Sequence, residues 1–355
     1  MKRVFLSLFL ILFLFLSTTL PVISASKIQY YEAEVTGSTI VESSAVIEQN
    51  IQQLRIKITS GDLKDNSYTV QTFDTRNQYK KGDGIVVSYE QLAGNKENIQ
   101  VVDIVRRPSI MTLFFIFLIF VFVVGRWRGF TSFIGLAVSF VVIIRLVVPQ
   151  ILIGNDPILI SLLAAVLIIP LTFFLSHGLQ EKTVIAIVGT FVSLLLTGIL
   201  AYIFVEFTKL TGFASEEAAY LQFTQGGAIN IKGLLLAGIL IGAMGILDDI
   251  TISQASVVEE LHKANPKMSF GQLYKKGMTV GRDHIASLVN TLVLVYTGAS
   301  LPLFLLFTNA NMSYLTVINQ ELFATEIVRT LVSSIGVIAA VPLTTLLASY
   351  RKRGN

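Results

Sequence analysis

Residues 157–176 read PILISLLAAVLIIPLTFFLS, twenty positions without a charged side chain. Bilayer hydrocarbon is about 30 Å thick and an α-helix rises ~1.5 Å per residue, so such a run is long enough to cross it. The stretch reads as a transmembrane helix, and it has companions on both sides. Residues 109–125, 129–149, 183–207, 232–252, 285–308 and 324–350 are also long apolar runs with few charges. The expected fold is therefore an α-helical polytopic membrane protein with about seven transmembrane helices, preceded by a small β-rich segment.

The charges divide the chain in the same way. Of the 50 Lys, Arg, Asp and Glu residues, 21 fall within residues 27–107 and only 27 in the much longer stretch 108–355. A purely cytosolic enzyme is excluded. There is no cysteine, which removes disulfides, thiolate catalysis and thiolate metal sites. The net charge of +4 says little about nucleic acid, because membrane proteins collect Lys and Arg in cytoplasmic loops.

At the start, Lys2 and Arg3 precede the uncharged run 4–20, followed by Pro21 and the small residues Ser24, Ala25 and Ser26. That order marks residues 1–26 as a signal peptide or an uncleaved signal anchor. Residues 27–107 alternate in polarity over 30–35, 51–58, 68–73, 84–89 and 98–105. Turn signals such as Ser60-Gly61-Asp62 and Lys80-Lys81-Gly82-Asp83-Gly84 lie between these runs. Five short strands predict a barrel of OB or SH3 type. No cluster of aromatic and basic residues supports a nucleic-acid face.

Orientation follows from the positive-inside rule. With residues 27–107 outside, eleven Lys and Arg residues fall on the inner side, among them Arg126, Arg128, Lys182, Lys263 and Arg351. Five fall on the outer side. The expected location is the cell membrane, multi-pass, with an extracytoplasmic β-rich segment and a cytoplasmic C-terminus.

Ionisable groups within spans are costly and therefore informative. In the fifth span Gly238, Gly242, Gly245, Asp249, Ser253 and Ser256 follow spacings of four or three residues, a single helical stripe. The glycines read as a helix-packing face. Asp249 then either belongs to a polar site or sits solvated at the inner boundary. In the sixth span Asp283, Ser287, Asn290 and Thr297 share a face, with Arg282 and Thr291 beside it. Asn290 is either interhelical glue or part of a solute site. Pro302 should kink this span. In the seventh span Glu326 and Arg329 stand three apart and read as a structural pair. Residues 257–281 read as a solvated connector, or as an amphipathic helix lying on anionic lipid.

No catalytic signature is present. The three histidines fit no HExxH zinc helix, and no G-x-S-x-G elbow, P-loop or dinucleotide fingerprint occurs. The reading assigns no enzyme activity, catalytic residue, metal or cofactor. Asp248 and Asp249 are adjacent, and neighbouring helical residues diverge by ~100°, so they cannot share one proton.

Three stretches resemble the YibE/F family of bacterial multi-pass membrane proteins. They are GAMGILDDITISQASVVEEL (residues 242–261), MTVGRDHIASLVNTLVLVYTGASLP (278–302) and EIVRTLVSSIGVIAAVPLTTLL (326–347). The resemblance implies a soluble β segment before several spans. It brings no established reaction or substrate.

The functional expectation is a transporter or permease. Asp249, Ser253, Arg282, Asp283, Asn290 and Thr291 would form a polar site near the cytoplasmic ends of the fifth and sixth spans. The solute would be a cation, a coupling proton, a basic solute or a carboxylate-bearing one. The alternative is a non-transporting scaffold whose exported β domain binds an envelope partner. Expected partners are the lipid bilayer, a small solute or ion, and a homo-oligomer or envelope partner, without nucleic acid.

Overall fold

The protein was analysed as a computed structural model, which describes residues 29–41, 51–72, 78–92, 96–309 and 312–352. The signal segment, residues 1–26, lies outside the described residues. The chain divides into two compact units after Val123.

The first unit is built on five antiparallel strands: β1 (Gln29–Val41), β2 (Ile51–Ile58), β3 (Ser67–Thr72), β4 (Gly84–Leu92) and β5 (Lys96–Ile104). They form one curled sheet in the order β3-β2-β1-β4-β5, with β3 and β5 approaching each other, so the architecture is a half-barrel. Period-two alternation dictates this. Leu54, Ile56 and Ile58 of β2 point inward and are fully buried, while Arg55 and Lys57 between them face water. Tyr31, Ala33 and Val35 of β1 meet them from the neighbouring strand. A register shift between Val35 and Gly37 bends β1 so that it can pair with both β2 and β4. Buried Gln52 is satisfied by Tyr79, whose backbone N–H donates to Gln52 Oε1 at 3.0 Å. Gly61 (φ 72°) turns the chain beneath the Tyr31 ring, where a Cβ would lie 2.6 Å from Tyr31 Cε1.

The helical elements are α1 (Arg107–Leu152), α2 (Pro157–His177), α3 (Glu181–Phe207), α4 (Glu216–Thr224), α5 (Ile231–Ala264), α6 (Phe270–Ala299), α7 (Leu301–Asn309), α8 (Tyr314–Ile318) and α9 (Glu321–Arg351). Among the described residues α1, α2, α3, α5 and α9 are long and apolar enough to cross a membrane. The bent pair of α6 and α7 makes a sixth span if counted as one. The expected runs 109–125 and 129–149 therefore fall within one long helical stretch, α1. That stretch is interrupted at Arg126, whose φ of 49° and ψ of −139° leave the helix. Arg126 belongs to the charged Arg-Trp-Arg step between the two runs, so the composition marked the break between the two helical parts of α1.

The bend between α6 and α7 is 62° and falls just before Pro302, as the missing N–H requires. The Gly298 carbonyl that Pro302 leaves without its helical donor accepts the Ser300 N–H, and the Ser300 carbonyl in turn accepts the N–H of Leu303 at 3.0 Å. The expected connector 257–281 shrinks to a short turn. Helix α5 runs to Ala264, and α6 starts at Phe270 behind a reciprocal capping box of Ser269 and Gln272.

Helices α3, α5 and α9 form the centre of the second unit. Ion pairs at both ends fix their directions. Lys182 at the start of α3 reaches Glu259 near the end of α5 (3.4 Å), and Glu181 holds Arg351 (3.0 Å) and Lys352 (2.6 Å) at the end of α9. At the other end Lys232 of α5 meets Glu206 of α3 at 2.5 Å. There the Glu321 carboxylate accepts the N–H groups of Thr211 (2.6 Å) and Gly212 (2.9 Å). So α5 and α9 run together, antiparallel to α3. Gly212 (φ 87°) leaves no room for a side chain, since a Cβ would lie 2.7 Å from the Ile231 carbonyl oxygen.

The expected packing face on α5 needs correction. A Cβ on Gly238 or Gly245 would meet nothing within 4 Å, and one on Gly242 would only touch Tyr296 Oη at 3.8 Å. The opposite side of α5 is the packed one, because Leu236, Ile239, Leu240, Ala243 and Leu247 carry the apolar volume. Close helix approach is made by other glycines: Gly189 against Thr344, Gly336 against Thr197, Gly277 against Thr345 and Gly281 against Val341.

A polar cleft between α1, α2 and α5 as the candidate functional site

Asp248 and Asp249 occupy consecutive positions of α5 and are therefore turned ~100° apart. Asp248 leans toward the packed side, and its Oδ1 is buried with no hydrogen-bond partner among the described residues. Asp249 is exposed. Both line a cleft of ≈ 370 Å³ whose other walls are α1, through Ser132 and Ser139, and α2, through Thr172, Ser176 and His177. A second cleft of ≈ 450 Å³ adjoins it and shares Ser176, His177 and Ile252. It is lined by Trp127 and Arg128 of α1, Gln180 and Lys182 around the start of α3, and Ser253 and Ser256 of α5. Together they make a groove with carboxylates within and cationic groups at the rim.

Local structure explains the placement. Asp156 caps the first turn of α2, accepting from Leu159 N–H at 2.9 Å, and His177 ends the same helix. The imidazole thus sits at the carbonyl end, where the helix dipole favours a positive charge. Its ring packs on Phe173, one turn earlier, with centroids 6.0 Å apart. Lys182 is held by Glu259, which also receives Lys263 at 3.3 Å. A carboxylate removed from water stabilises a bound cation or retains a proton, because its bare charge is expensive in apolar surroundings. Arg128 and Lys182 add electrostatic preference for an anionic group at the entrance.

Of the residues singled out in the sequence, Gly245, Asp249, Ser253 and Ser256 lie on this groove. Arg282, Asp283, Asn290 and Thr291 do not line it. They are exposed along α6, and the Thr291 hydroxyl donates to the Ser287 carbonyl at 2.9 Å. Glu326 and Arg329 contact each other, with Arg329 Nη1 3.0 Å from Glu326 Oε1. Sequence reasoning missed Asp248 and His177 as groove residues, and it counted Arg128 and Lys182 only as orientation markers. The one available signal was His177, which ends an otherwise uncharged run.

Sequence reasoning also missed a polar seam inside the bundle. Gln254 is fully buried and donates to the Gly277 carbonyl (2.8 Å) and to Thr345 Oγ1 (2.7 Å), joining α5, α6 and α9. Thr190 of α3 and Thr251 of α5 share a buried hydrogen bond of 2.7 Å. Among the described residues no three His, Cys, Asp or Glu side chains gather as metal ligands.

A family profile described as YibE/F-like protein matches residues 113–353, well over half of the chain. No curated protein and no solved structure matches the chain. The matched region takes in all of α2 to α9 and most of α1. A bundle of long apolar helices under a profile match of that extent makes this chain an integral membrane protein that belongs to the YibE/F-like family.

Proposed function

We propose that the protein is a transporter or permease for a small solute or ion, and that the groove between α1, α2 and α5 is its solute path. The observation that carries this reading is the pair of carboxylates on α5, within an apolar helix, lining a cleft of ≈ 370 Å³ together with His177. Packing alone has no need of two acidic groups beside open space. The reading assigns no catalysis; among the described residues no hydrogen bond joins His177 to a groove hydroxyl.

The protein is placed in the cell membrane with seven crossings, the two parts of α1 on either side of Arg126 counting separately. Residues 1–26 act as signal peptide or anchor, the β unit is extracytoplasmic, and the C-terminus is inside. Supporting this orientation, Lys182, Lys263, Arg351 and Lys352 gather at one end of the bundle. The half-barrel is assigned to the OB type, because β1 pairs with both β2 and β4 while β3 and β5 approach to close the sheet.

The test is flux into proteoliposomes, with protons, Na⁺ and K⁺ as probes, for the native chain and for Asp248→Asn and Asp249→Asn. Protein-dependent flux that drops at least tenfold in Asp249→Asn supports the reading. Flux unchanged in both variants, or absent from the native protein, overturns it. The competing scaffold reading draws support from the β unit's own buried core. Deleting residues 27–107 separates the two, since a permease keeps its flux and a scaffold loses its partner.

A further inference from the structure

Helix α6 has two opposite faces. Met278, Gly281, Ile285, Leu288, Leu292 and Tyr296 repeat every three or four residues and pack on the bundle. On the other side Thr279, Asp283, Ala286, Ser287, Asn290 and Thr297 are all exposed. From Thr279 to Thr297 the stripe runs ~27 Å at 1.5 Å per residue, and its Ala286, Ser287, Asn290 and Thr297 lie within the apolar run 285–308. Lipid tails offer no hydrogen bonds, so the Asn290 carboxamide requires a covering surface, and Arg282 and Asp283 extend the same face at the cytoplasmic end of the span.

The uncharged runs 4–20 and 109–125 supply no charged side chain and no carboxamide. Residues 109–125 carry only Ser109 and Thr112 as polar side chains, both at the start of the run. The stripe itself supplies both. Arg282 and Asp283 are adjacent, so a copy related by a two-fold axis sets the guanidinium of each chain beside the carboxylate of the other. An amide both donates and accepts, so Asn290 pairs with Asn290 across the same axis, as a single Asn does at a coiled-coil seam. Small Ala286 and Ser287 let the backbones approach. We propose that the exposed stripe of α6 is a homodimer interface in the membrane, with α6 parallel to its counterpart in a second copy of this chain.

The native chain lacks cysteine, so single replacements report contacts directly. The experiment is oxidative cross-linking of the full-length protein in native membranes with Ala286→Cys, Thr297→Cys and, as control, Leu195→Cys on the exposed face of α3. The expected result is a dimer-sized product at Ala286 and Thr297, at least tenfold more abundant than at Leu195. Combined with Ala286→Cys, Asp283→Arg should lower that yield, and the swap Arg282→Asp with Asp283→Arg should restore it. Yields at Ala286 and Thr297 no higher than at Leu195, or a product containing a different protein, would overturn the proposal. A yield indifferent to the charge changes would also overturn it, because the Arg282–Asp283 contact is what selects a second copy. None of these readouts depends on transport.

Discussion

The helices α3 and α6 carry the same kinds of residue and treat them in opposite ways. On α3 the stripe Gly189, Ser193 and Thr197 is fully enclosed against α9, with Thr344 over Gly189 and Gly336 under Thr197. On α6 the stripe Asp283, Ser287 and Asn290 faces outward with nothing of the described chain over it. A small or polar residue in a membrane helix therefore announces a contact without saying whether the partner lies in the same chain. What differs is charge. The α3 stripe holds hydroxyls that can bond within their own helix, as Thr197 does with the Ser193 carbonyl at 2.8 Å. The α6 stripe adds a carboxylate and a carboxamide that no described residue covers.

The largest effect should come from filling the enclosed seam. Gly336→Val forces a side chain into Thr197 and should cost about 1–3 kcal/mol, whereas Gly238→Val enters open space and should stay within about 0.5 kcal/mol. Thermal unfolding of both variants in the same detergent measures the contrast, and equal losses would break it. A smaller change is expected from Thr190→Val, which removes the 2.7 Å bond to Thr251. Such interhelical bonds average ~0.6 kcal/mol, so the melting temperature should fall only slightly.

The smallest effect lies in the β unit, on the surface pair of Lys57 and Asp65 at 2.8 Å. The Lys57 ammonium holds the Asp65 carboxyl below its ordinary range. A depressed folded-state value means the contribution is present above the unfolded pKa and lost as pH falls through the folded one. Asp65→Asn should thus slightly destabilise the β unit at pH 7, by an amount that shrinks as the pH falls below the ordinary carboxylate range. Hydrogen exchange of β2 amides, compared between variant and native protein as the pH is lowered, reads this directly.

Much of the fold was legible because its signals are local. The strand over residues 51–58 is found within the expected bounds, since Leu54, Ile56 and Ile58 alternate with charged neighbours. The apolar runs foretold the long helices, and Pro302 foretold the bend. Which face of α5 packs was not legible, because Gly spacing defines a stripe but not its partner. The apolar volume on the other face decided that question. Asp249 and Ser253 could be picked out from one helix. Asp248 and His177 could not, because the groove exists only once α1, α2 and α5 are assembled.

As the proposed solute path, the groove on α5 is open to water from the cytoplasm while the seam behind it is closed. Single-cysteine labelling with a membrane-impermeant thiol reagent tests it, using Ser253→Cys in the groove and Thr344→Cys in the seam, in inside-out and right-side-out vesicles. The account predicts that Ser253→Cys reacts at least tenfold faster than Thr344→Cys, and only in inside-out vesicles. Equal protection of both positions, or labelling of Ser253→Cys from the outer face, would contradict it.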